Sequence, residues 1–116
     1  MRTTLISAMV ILGLAGCIEH GNRILVRNDS EQIYSSVTVS VCDSTWVIHT
    51  LAPGEEEEFS IVYTSDDSFH ISARTAEEQI IEGSFGYVTH GISNETIEIV
   101  FSGDSIHFDQ KRNNLY

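Results

Sequence analysis

Cysteine is nearly absent from this chain: its 116 residues hold two, Cys17 and Cys42. The multi-disulfide scaffold that staples many small secreted domains is therefore excluded. Proline occurs once, at Pro53, which excludes a collagenous or proline-rich extended chain. Basic residues are scarce, with six Lys and Arg against 17 Asp and Glu, a formal charge of −11. Such an acidic surface argues against a nucleic-acid partner and against lying flat on anionic lipid. A long hydrophobic run is missing as well. The apolar stretch near the start, Leu5 to Gly16, covers twelve residues, whereas a membrane-spanning helix needs about 20. No segment holds a helical period for three turns, and there is no internal repeat or low-complexity linker.

The short apolar stretch has a layout of its own. Met1-Arg2 supplies one positive charge, the run follows, and small residues close it at Ala15 and Gly16, as in a secretory signal. Leu14-Ala15-Gly16-Cys17 resembles the lipobox of bacterial lipoproteins. The resemblance implies cleavage before Cys17 and lipidation of Cys17, with acyl chains such as palmitate on its sulfur and its new amino group. It also implies a membrane partner reached through that lipid anchor. One myristoyl chain holds only marginally, at about 0.8 kcal/mol per buried methylene, so two or three chains give lasting attachment. Ile18 rather than aspartate follows the cysteine. In lipoproteins of Gram-negative bacteria this resembles the outer-membrane sorting signal, implying a cell-envelope location on the periplasmic face of that membrane. In a host with one membrane the protein would face outward.

These features divide the chain into a signal peptide (1–16), a lipidated cysteine with a short tether (17–22), a folded domain (23–109) and a polar tail (110–116) expected to be loose. Without residues 1–16, 100 residues remain, one domain by length. Loss of Arg2 leaves five basic against 17 acidic residues, a charge of −12. Cys42 is then the lone thiol, so no internal disulfide can form. It has the parity of Ser36, Thr38 and Ser40, which places it near an outer face or in the following loop.

Apolar and polar residues alternate through most of the folded region, the signature of half-buried strands. The apolar sets that mark the strands are Ile24 and Val26; Ile33, Val37, Val39 and Val41; Trp46 and Ile48; Phe59, Ile61 and Tyr63; Phe69, Ile71 and Ala73; Ile80-Ile81 as a short strand; Phe85 and Tyr87; Ile97, Ile99 and Phe101; Ile106 and Phe108. Turns are expected at Asn28–Glu31, Asp43-Ser44, Thr75–Glu78 and Gly91–Glu95. Leu51-Ala52-Pro53-Gly54 suits a type II turn and Ser102-Gly103-Asp104-Ser105 a tight hairpin. Strands at roughly ten-residue spacing predict an all-β antiparallel sandwich of seven to eight strands. Val26-x-Asn28-x-Ser30, Val37-x-Val39 and Leu51-x-Pro53-Gly54-Glu55 resemble the opening half of bacterial immunoglobulin-like sandwich modules, here of the disulfide-free kind. The match covers about a third of the region after the signal and implies a fold, not an activity.

Candidate chemistry is thin. Glu55 to Glu58 are four adjacent carboxylates, a composition that attracts calcium. Successive strand residues point to opposite faces, however, so a solvated turn at a sheet edge is the better reading. His20, His49, His70, His90 and His107 lack the close spacing of zinc or copper ligands, and no metal or other cofactor is expected. No Gly-x-Ser-x-Gly elbow exists, and Asp66-Asp67 stands in a polar loop. Asn28-Asp29-Ser30 and Asn94-Glu95-Thr96 fit glycosylation acceptors but read as turn residues. With no nucleophile–base pair to name, an enzyme is not expected. The expected role is a lipid-anchored, non-catalytic interaction or structural module with an envelope protein as partner. The alternative is an acidic inhibitor of a cationic envelope enzyme such as lysozyme.

Overall fold

The structure, a computed structural model, describes residues 21–113. The lipobox residues Leu14, Ala15, Gly16 and Cys17, together with His20, lie outside the described residues. Eight strands follow in order: β1 (Asn22–Asn28), β2 (Tyr34–Val41), β3 (Ser44–Leu51), β4 (Glu56–Ile61), β5 (Asp67–Arg74), β6 (Ile80–Val88), β7 (Glu95–Ser102) and β8 (Ser105–Arg112).

The strands form two four-stranded sheets, β4-β1-β7-β8 and β3-β2-β5-β6, so the chain is the all-β sandwich its alternation predicts. Three hairpins, β2–β3, β5–β6 and β7–β8, stay within a sheet. Every other connection crosses between sheets. All pairs are antiparallel except β1 with β7. A parallel neighbour needs a long crossover, and here β2 to β6 supply it. The strand order is not the A-B-E-D and C-F-G arrangement of an immunoglobulin constant domain, because the second strand leaves the sheet of the first.

The four inner strands carry the core. Ile24 and Val26, Val37 and Val39, Phe69 and Ile71, and Ile97, Ile99 and Phe101 are all buried between the sheets. Each such side chain contributes about 1.5–3 kcal/mol by leaving water. Aromatic pairs close both flanks. Trp46 of β3 meets Phe59 of β4 at 5.4 Å. On the other flank Phe85 of β6 stacks on Phe108 of β8 at 5.5 Å. Gly86 permits that approach, with φ 66 and a position where a Cβ would sit 2.6 Å from the Phe108 ring. Gln110 then reaches from β8 to β6, donating through Nε2 to the Tyr87 carbonyl at 2.9 Å.

Four expectations are corrected, three of them for a local backbone reason. Ile33 faces solvent at 50% exposure, and Tyr34 is buried in its place. Ser36 takes φ 49, and the β2–β5 register shifts between Ser35 and Thr38. That extra residue reverses the parity upstream of it. Cys42 lies in the turn after β2, one of its two expected places, but is buried there rather than near an outer face. It and Asp43 have φ 51 and 70, the two positive values of a type I′ hairpin, which swing the thiol inward. Ile80-Ile81 and Phe85 belong to one strand, β6, and a bulge near Gly86 leaves Tyr87 exposed with Val88 buried. Finally, β8 runs on through Gln110 to Arg112, into the segment expected to be loose.

Asn28 is the buried polar residue that the crossing from β1 to β2 depends on. Its Nδ2 donates to the carbonyls of Gln32 (2.7 Å) and Leu51 (2.9 Å). Its Oδ1 accepts from Ser30 N (2.9 Å) and Ser30 Oγ (2.8 Å). Removing the side chain breaks four hydrogen bonds and leaves the Leu51 carbonyl and the Ser30 N–H without their partner, so Asn28→Ala is expected to destabilise the fold by about 3 kcal/mol. A urea denaturation midpoint measures this. A loss under about 1 kcal/mol would show that Asn28 is replaceable by water.

Candidate functional site

Charge separates along the strands. The loops beside the Asn28 end of β1 are held together by Gly54 N donating to the Asn28 carbonyl (2.9 Å) and by Gln32. Gln32 donates to the Gly103 carbonyl (3.3 Å) and accepts from Ala76 N (2.9 Å). This pole carries Asp29, Glu31, Glu55, Glu77, Glu78 and Asp104. Among the described residues, the one arginine bridging to this group is Arg74, 3.6 Å from Glu78. The other arginines are engaged along the strands: Arg23 with Glu58 at 2.9 Å, Arg27 with Glu98 at 3.0 Å, and Arg112 with Glu95 at 3.9 Å. The chain enters β1 at the opposite pole, where Gly21 accepts from Asn94 N.

The glutamate run shows why four adjacent carboxylates diverge. Glu55 closes the turn, its Oε1 accepting from Ala52 N at 2.8 Å, while Gly54 takes the φ of 82 that a type II turn requires. Glu58 turns outward to Arg23. Glu57 has the inward parity of Phe59 and Ile61, and partial burial followed by the charge of Glu55 pushes its carboxyl up.

The outer face of the β3-β2-β5-β6 sheet is of another kind. A shallow cleft of about 270 Å³ is lined by Thr38, Ser40, His70, Ser72, Glu82 and Ser84. These residues alternate with the buried ones, so the same pleat that builds the core lays hydroxyls on this surface. Here His70 Nδ1 lies 3.0 Å from Ser84 Oγ, and His70 Nε2 lies 3.9 Å from Asp67 Oδ1. The trio has the composition of a hydrolytic triad, and its geometry differs. A distance of 3.9 Å is too long for a hydrogen bond, and the imidazole is largely exposed.

Asp67 has a definite structural task. Its carboxylate accepts from Cys42 N and Ser68 N, both at 2.8 Å, while Cys42 Sγ donates to the Ser65 carbonyl at 3.2 Å. Type I′ turns favour Asn-Gly, and non-glycine residues at positive φ are costly. These bonds hold Cys42-Asp43 in that conformation. At the same pole Glu95 is buried and accepts through Oε1 from Tyr63 OH (2.9 Å) and Gln110 Nε2 (3.1 Å). Burial and the bond to Glu95 push the Tyr63 hydroxyl up.

The sequence-marked residues do not gather at one centre. His49 and His70 are on the β3-β2-β5-β6 sheet, His107 is on β8 and His90 is in a loop. Asp66 accepts from His90 N at 2.9 Å, which binds the loop after β6 to the one before β5. Among the described residues no group of three or more His, Cys, Asp or Glu is placed to hold a metal. The Asp67–His70–Ser84 arrangement escaped sequence reading, because the register of β5 against β6 brings Ser84 to His70.

No protein-family model matches the sequence, and no curated protein matches it. Among solved structures the chain is similar to the NMR structure of a protein from Eubacterium rectale. The TM-score is 0.60 at 12% identity, covering 84% of this chain and 95% of that one. At that identity the likeness is one of fold alone.

The bonds from Cys42 and then Ser68 hold the Asp67 carboxyl below its ordinary value near 3.8. A depressed carboxyl stabilises the fold above its unfolded value, and that contribution is lost as pH falls through the folded one. The stability gap between wild type and Asp67→Ala is therefore expected to be full near neutral pH and to close in acid below pH 3.8. Thermal unfolding across that range, with an NMR titration of the carboxyl, measures it. A gap that persists in acid would assign the effect to packing.

Proposed function

We propose that the protein is a lipid-anchored, non-catalytic module of the cell envelope that engages another envelope protein, with Cys17 as the acylated residue. The observation that carries this reading is the charge polarity relative to the chain entry. Asn22 begins β1 at one pole, and the loops of the other pole carry six carboxylates against Asp43 and Asp66 in the loops of the entry pole. A tether of residues 18–21 spans at most about 14 Å, which keeps the domain beside the membrane. Its acidic pole then projects into the aqueous space, away from anionic headgroups. In a host with two membranes, Ile18 supports the periplasmic face of the outer one.

The experiment is a pair of measurements on the full chain expressed in a bacterial host. Mass spectrometry of the mature N-terminus is expected to find acylated Cys17 with residues 1–16 gone. Cys17→Ala is expected to move the protein from the membrane pellet to the soluble or uncleaved fraction. A wild-type chain recovered soluble with an unmodified thiol overturns the anchor.

The same acidic pole favours one second reading, inhibition of a cationic envelope enzyme such as lysozyme. Under that reading micromolar protein suppresses lysozyme turnover, and the effect fades with salt as exposed charges are screened. Full turnover at micromolar protein and low salt ends it.

A further inference from the structure

We propose that the open edge of β3 takes up an extended, lysine- or arginine-bearing segment of a partner protein as an additional strand. The proposal deepens the envelope-protein reading by naming the surface and the chemistry of the segment.

The sandwich has four sheet edges, formed by β4 and β8 in one sheet and β3 and β6 in the other. Three are guarded. β4 is six residues long and opens with Glu56, Glu57 and Glu58, the charge that blunts an edge. β6 and β8 are joined across their flank by Gln110 and the Phe85–Phe108 stack. β3 has the Trp46–Phe59 contact on its inner face but, among the described residues, neither charge on the strand nor a hydrogen bond to Thr45, Val47 or His49 backbone from the neighbouring flank. Its eight residues, Ser44 to Leu51, contain no Asp, Glu, Lys, Arg, Pro or Gly. Val47, at its middle, is 53% exposed.

The register says which backbone groups are free. The two-residue Cys42-Asp43 turn makes Val41–Ser44 the closing pair. In an antiparallel ladder the hydrogen-bonded pairs then recur at Val39–Trp46 and Val37–Ile48. The N–H and C=O groups of Thr45, Val47 and His49 therefore point out from the sheet. Among the described residues no loop or side chain is bonded to those amides. They offer the main-chain half of strand addition.

Charge selects the occupant. Across the flank, Trp46 packs on Phe59, so β4 runs beside the open edge with its glutamates. Glu57 shares the inward face of Phe59, and its carboxyl is already pushed up by burial and by Glu55. A second copy pairing β3 with β3 would bring two such glutamate rows together in a chain of charge −11. An added strand with a basic side chain on its inner face meets the Glu57 carboxylate with the opposite sign. Its alternate residues lie beside Thr45, Val47 and His49 on the outer face.

The test uses the full chain in detergent and a synthetic peptide of alternating lysine and valine, with a glutamate–valine peptide as control. Binding is read by amide chemical shifts and calorimetry. The expected result is perturbation centred on Thr45, Val47 and His49 with the lysine peptide alone. Val47→Pro removes an edge-facing N–H while leaving the β2 ladder intact, and is expected to weaken binding about tenfold or more. Val47→Lys is expected to weaken it without any backbone change, and Glu57→Gln to weaken it a few-fold. Four results overturn the proposal: no saturable binding, equal binding of the acidic peptide, binding indifferent to both Val47 variants, or self-association of the chain through β3. The anchor is tested separately at Cys17, so either idea can fail while the other stands.

Discussion

The fold depends on keeping a carboxamide dry. Asn28 ends β1, and the chain must there leave one sheet for the other. Its side chain binds the connecting loop through Gln32 and Ser30, and the end of β3 through Leu51. With all its donor and acceptor capacity used, burial costs little. The result fixes where β2 begins relative to β1 and where the Pro53-Gly54 turn sits. The β1–β2 and β3–β4 crossings between the sheets are arranged around that point. In a chain whose described cysteine is a free thiol, this polar bracket and the apolar layer do the work a disulfide does elsewhere.

The same economy explains the two flanks. A sandwich of two open sheets leaves four edges, and this chain closes one side with Phe85, Phe108 and Gln110 and covers the other with Trp46 against Phe59. The first closure needs Gly86, since a Cβ there would strike the Phe108 ring. The second protects β4 by charge and leaves β3 uncharged. The two surfaces that differ most from ordinary solvated protein, the acidic pole and the β3 edge, follow from how strands end and where they stop pairing. Neither relies on a preformed catalytic centre. The Asp67–His70–Ser84 arrangement, which has the right atoms, has its carboxylate committed to the Cys42 turn.

Much of the fold was legible because a two-residue period reports a face. Ile24 and Val26, Phe69 and Ile71, and Ile97, Ile99 and Phe101 alternate without interruption, and each is buried where alternation places it. The Pro53-Gly54 turn was equally legible, since proline and glycine state their φ in advance. Alternation failed where the backbone inserted a residue. Ser36 and the bulge near Gly86 each reversed the parity beside them, exposing Ile33 and Tyr87. Neither serine nor cysteine announces a positive φ. The one at Cys42 is held by a contact from a distant strand, the Asp67 carboxylate on its N–H.

The sequence by itself determined an all-β sandwich of seven to eight strands and most of its core, because hydrophobic period and turn chemistry are local properties. It also carried the excess of carboxylate and the short motif ending at Cys17. Only the tertiary structure decided which strands are neighbours, that β1 lies parallel to β7, that six loop acids meet at the pole opposite the chain entry, and that β3 is left with an open edge. Those are consequences of strand order and register. Two sheets can be threaded in many ways with the same buried faces, and the choice among them rests on a few long-range bonds, such as those of Asn28 and Gln110.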